Sequence, residues 1–163
     1  MKSRFALFAG YYWRVSQLLN YLQPLGLLAA RLYIAKVFFF AGLTKLQDWD
    51  TTLFLFEEEY SVPLLPFELA AWLGTAGEIL LPVLLVLGLT TRFGALGLSV
   101  VNVVAVISLE EIAPAALTLH LLWGVLLAQL VIWGAGRLSV DGWFKTRWQQ
   151  PAGTRPWGLA WNH

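Results

Sequence analysis

Three cations stand in one apolar run. The segment LLAARLYIAKVFFFAGLTKLQ, residues 27–47, carries Arg31, Lys36 and Lys45. A second run, residues 66–88, carries Glu68 and Glu78. A charge at the centre of a bilayer costs about 2.5–3.5 kcal/mol on the insertion scale, so such residues turn inward and pair. Two acids on one helix and three bases on its neighbour therefore suggest a buried charge network. It could move protons, hold a polar ligand or only fix helix register. His120 and Asn102, in two further apolar runs, are candidates for a proton relay or a ligand contact. His120 could equally be an interior histidine with a satisfied hydrogen bond.

Depth and direction suggest partners. Helices rise about 1.5 Å per residue. With midplanes near Ala35 and Gly77, Lys45 and Glu68 lie roughly 15 and 13 Å outward, while Lys36 and Glu78 lie near the centre. At about 100° per residue, Arg31 and Lys45 share a face and Lys36 points away. These numbers predict pairs Arg31–Glu78 and Lys45–Glu68, with Lys36 turned towards Asn102. Arginine also suits a buried, bidentate carboxylate better than lysine does.

The elements that must carry these residues are helices in lipid. Of 163 residues, 58% are hydrophobic and 13% charged, against about 25% charged in a soluble domain. A small soluble core cannot hide that excess. Four windows have the length of a membrane span: 24–46, 66–88, 91–109 and 115–136. Short connections make neighbours antiparallel. Residues 4–21 read as an interfacial helix, and LFLFEEEY, residues 53–60, as a short amphipathic helix on lipid or on the bundle mouth. The domain reading is an interfacial segment (1–23), a four-helix domain (24–140) and a Trp-rich tail (141–163). Gly74, Gly77, Ala71, Gly94 and Gly97 read as helix-packing residues.

Charge outside the spans is sorted. The first loop holds five acids and no base, and the EEIAP loop two acids. Lys2, Arg4, Arg14, Arg92, Arg137, Lys145, Arg147 and Arg155 fall on the other side. The positive-inside rule then puts both termini in the cytoplasm, with Trp123, Trp133, Trp143, Trp148 and Trp157 as interface anchors. A net charge of +1 gives no bulk case for nucleic acid. The chain has no cysteine and two histidines, His120 and His163. Thiolate metal sites, iron–sulfur ligation and dithiol relays are thereby excluded, and no metal site is expected. Only His120 could ligate a haem between spans.

The motifs RLYIAKVFFFAGLTKL and GTAGEILLPVLLVLGLTTRFGA resemble the DoxX family of small four-helix membrane proteins. The resemblance covers roughly residues 25–140. Arg31, Lys45, Glu78 and Arg92 fall on its recurring positions, whereas Lys36 and the long first loop look particular to this chain. It implies a multi-pass inner-membrane protein linked to redox processes, since one relative is a subunit of a thiosulfate:quinone oxidoreductase. The expectation is a non-catalytic or co-catalytic membrane subunit of an oxidoreductase complex, with quinone held near Arg31, Glu78 and His120. No catalytic residue is assigned. A redox partner protein would supply electrons, and self-association stays open. The alternatives are a small proton-coupled transporter using Glu78, or a membrane anchor or assembly factor.

Overall fold

A computed structural model describes residues 2–148. It contains six helices: α1 (Lys2–Gln47), α2 (Trp49–Glu58), α3 (Phe67–Leu87), α4 (Thr91–Ile107), α5 (Pro114–Trp133) and α6 (Val140–Trp148). No strand occurs among the described residues; one isolated bridge joins Tyr60 to Leu109. The second half of α1, α3 and α5 are long and apolar enough to cross a membrane, and α4 is a shorter apolar helix. The all-α membrane reading holds.

The four apolar helices close into a ring. α1 packs on α3 and α5, α3 on α4, and α4 on α5. Leu27, Ile34, Phe38, Leu85, Leu98, Leu127 and Leu130 fill the middle. The α1 contributions recur every three or four residues, one face of a helix. Outward faces stay apolar, with Phe40, Leu80, Val100 and Val125 more than half exposed, as a lipid solvent requires. Small residues set the α3–α4 spacing: a Cβ on Gly97 would come within 2.7 Å of Leu81 Cδ1.

Two boundaries differ from the sequence reading. α1 does not break between an interfacial segment and a span; it runs through Pro24 as one helix. A mid-helix proline removes one N–H and clashes with the preceding turn. Here it lies where α1 enters the bundle, and Pro24 and Leu27 pack on Gly136. The first-loop helix starts earlier than expected, at Trp49. Asp48 caps it, accepting from Thr51 N at 3.0 Å and from Thr51 Oγ1 at 2.7 Å, and the hydroxyl bond first, then the backbone bond, draws the exposed Asp48 carboxyl below its ordinary pKa. Its apolar side rests on the bundle: Phe56 packs with Ala70 and Ala71, and Trp49 lies 4.3 Å from Trp72 between ring centroids.

The bundle thus has two chemically distinct ends. One carries α2 and the acidic loops, clipped together by Ser61 N donating to Ser108 O at 2.8 Å. The other carries Arg92, Arg137 and α6. Trp157, Arg155 and His163 lie outside the described residues.

Candidate functional site

At the acidic end, Lys45 Nζ donates to Glu78 Oε2 at 2.5 Å. Among the described residues this is the one ion pair. Glu78 is buried, and the Lys45 side chain keeps 24% of its exposure. The pairing corrects both expected pairs. Glu78 takes Lys45 rather than Arg31, and Glu68 is exposed in the first turn of α3, where a carboxylate favours the helix dipole.

The cause is register. Gly42 lies opposite Glu78, with an ideal Cβ there only 3.0 Å from Glu78 Cβ and 2.9 Å from Ile79 Cδ1. Lys36 had been placed at that depth, so the two helices are offset by six residues, about 9 Å. Hydropathy windows fix only that a helix crosses, not its sliding position. The missed signal was the Gly–x–x–Lys spacing: positions 42 and 45 share a face, so a glycine that admits α3 also aims Lys45 at what it admits.

The surroundings of the pair are partly unsatisfied. Pro82 follows Glu78 by four residues and cannot donate to its carbonyl. Thr75, one turn away on α3, has a buried hydroxyl with no partner. Thr52 Oγ1 donates to Lys45 O at 2.9 Å, tying α2 to the same turn of α1. Tyr60, in the loop above, has its phenol pushed up by burial, then by the charges of Glu59 and Glu78.

Arg31 does something else. It is 1% exposed. Nε donates to Leu85 O at 2.7 Å, Nη2 to Val86 O at 3.0 Å, and Nη1 to Ala135 O at 3.0 Å and Leu138 O at 2.8 Å. The last carbonyls of a helix lack intrahelical donors and carry the negative end of its dipole. One guanidinium thus caps the end of α3 and holds the connection from α5 to α6, without a carboxylate. Gly88 makes room: its φ is +65°, and a Cβ would lie 2.7 Å from Arg31 Nη2. Arg92 Nη2 repeats the device on Ile132 O at 3.0 Å.

The complementary charge is Asp141, which the sequence reading missed. Its carboxylate accepts from Thr90 N and Thr91 N, both at 2.9 Å, at the start of α4. Asp141 N donates to Gly88 O at 2.9 Å. The signal was present: Asp141 is the one acid on the basic side of the charge partition.

His120 and Asn102 do come together, between α5 and α4. Asn102 Nδ2 donates to His120 O at 3.0 Å, and Asn102 Oδ1 lies 2.8 Å from His120 Nδ1. A carbonyl can only accept, so the amide nitrogen must face it and Oδ1 must face the ring. The neutral imidazole then carries its proton on Nδ1, and Nε2 is an acceptor. Trp123 packs edge-on against the ring, 4.8 Å between centroids. The pair lines an apolar groove of about 380 Å³ with Val106, Leu117, Gly124 and Val125. Neither Arg31 nor Glu78 lines it. Lys36 is not directed at Asn102 either; it is exposed on the α1–α3 side.

Comparison with known proteins agrees with this architecture. The DoxX family model matches residues 26–111, the stretch that holds Arg31, Lys45, Glu78, Arg92 and Asn102. An "Uncharacterized protein" from Haemophilus influenzae is 32% identical over 124 residues, covering 71% of this chain and 80% of its own. No solved structure matches.

Proposed function

The chain belongs to the DoxX family, and we propose that it is an inner-membrane subunit of a redox complex that binds quinone in the α4–α5 groove, with both termini cytoplasmic. The observation that carries the reading is the Asn102–His120 pair, which presents an imidazole acceptor beside an apolar groove. Ligand sites are mostly apolar with a few placed polar groups, and a quinol, whose hydroxyls donate, would meet an acceptor there. A quinol, when bound, gives up two electrons and two protons. Asn102 holds the ring and its tautomer. His120 Nε2 accepts a hydrogen bond from a ligand hydroxyl and can take its proton. Val106, Leu117 and Val125 exclude water. The electrons pass to or from a partner protein, since this chain has no thiol.

A second reading rests on Lys45–Glu78. A buried carboxylate with one partner, beside Pro82 and an unsatisfied Thr75, suits proton-coupled transport. Two experiments separate them. Quinol-dependent turnover by the protein with its partners, lost in His120→Ala, supports the quinone reading; substrate flux in proteoliposomes, lost in Glu78→Gln, supports the transporter. A cysteine placed in the 59–65 loop should react only from the periplasmic side; labelling from the cytoplasm overturns the orientation.

A further inference from the structure

Lys36 is the cation that the bundle leaves unused. Arg31 is spent on carbonyls and Lys45 on Glu78, whereas Lys36 has no hydrogen bond or ion pair among the described residues. It stands on the outside of α1, in a groove of about 300 Å³ between α1 and α3. The other walls are apolar: Leu32, Phe39 and Phe40 from α1, Val83 and Val86 from α3. Among the described residues no carboxylate lines this groove, which leaves room for a compensating charge from outside the bundle.

Position along the axis selects its source. Lys36 lies five residues, about 7.5 Å, deeper than Arg31, and Arg31 marks the level at which α3 ends and the chain has just left α5. Side chains on a helix lean towards its N-terminus, which for α1 is the basic end. A lysine stem covers about that distance while keeping its methylenes against apolar walls. The ammonium therefore reaches the headgroup layer at the basic end, while the groove continues inward at acyl-chain depth. We propose that the α1–α3 groove is a site for an anionic phospholipid, with the headgroup phosphate on Lys36 Nζ and an acyl chain along Phe39, Phe40 and Val83. The site is separate from the quinone groove, which lies between α4 and α5.

The test uses full-length protein in a gentle detergent, stripped stepwise and read by native mass spectrometry, with phosphatidylglycerol and phosphatidylcholine as probes. Lys36→Met keeps the stem and removes the charge; Lys36→Arg keeps the charge. Wild type and Lys36→Arg should retain phosphatidylglycerol over phosphatidylcholine, and Lys36→Met should lose at least tenfold of that retention with unchanged thermal stability and unchanged quinone content. Equal retention of the two lipids, or equal retention by Lys36→Met, overturns the proposal. So does a stoichiometric polypeptide that leaves with Lys36→Met, because the groove would then be the seat of a partner helix.

Discussion

The basic and acidic ends of the bundle handle polar groups in opposite ways. At the basic end the two central charges are spent, although the buried Thr91 hydroxyl there has no partner: Arg31 makes four bonds to carbonyls, and Asp141 takes two amides of α4. A charge held by several helix termini has no proton to exchange and no open lone pair to offer. Towards the acidic end, Glu78 has one partner, the Thr75 hydroxyl has none, and His120 bonds Asn102 through Nδ1, leaving Nε2 uncommitted. Burial alone therefore does not mark a functional charge; Arg31 is the more buried and the more structural. What distinguishes the two regions is how many bonds hold their ionisable groups, since each end also keeps one unpartnered threonine hydroxyl.

Substitutions should sharpen that contrast. Arg31→Met takes a donor from four carbonyls, of which Leu85 O keeps Gly88 N, and each one left unpaired costs about 1–3 kcal/mol. We expect little folded protein in detergent, with partial recovery in Arg31→Lys. Next comes the ion pair. Glu78→Leu leaves the Lys45 ammonium without its partner, and breaking a buried pair costs about 3–5 kcal/mol, discounted to about 2 because Lys45 is partly exposed. Adding Lys45→Met should recover part of that loss, since replacing both partners is far milder than removing one. A double variant less stable than Glu78→Leu would contradict this. Gly42→Val drives a side chain into Glu78 and Ile79 and should cost about 1–3 kcal/mol as overpacking. Asp141→Ala removes the N-terminal cap of α4 for about 1 kcal/mol. All four effects can be read as shifts in thermal midpoint.

Much of this architecture was legible in the chain. Span content, the small-residue packing and the charge-sorted loops follow from hydropathy and glycine placement. Pairing was not, for a physical reason. Apolar windows constrain a helix only to within a turn or two along the membrane normal, and a two-turn slip moves Glu78 from Lys36 to Gly42. Arg31 was misread because an acid is the partner one looks for in a sequence, whereas carbonyl ends have no residue signature. Pro24 suggested a helix start and instead lies inside one, because packing against Gly136 overrides local preference. The Asn102–His120 contact bridges two helices through an amide, which depth arithmetic between α1 and α3 could not reveal.

The most direct measurement is the quinol content of protein purified in gentle detergent under reducing conditions, compared between wild type and His120→Ala at matched thermal stability. Losing one ligand hydrogen bond is worth about 1.4 kcal/mol, or tenfold in occupancy. The account predicts quinol bound to wild type, at least a tenfold loss in His120→Ala, and retention in Lys36→Met. Equal quinol in wild type and His120→Ala, or none in wild type, would contradict it.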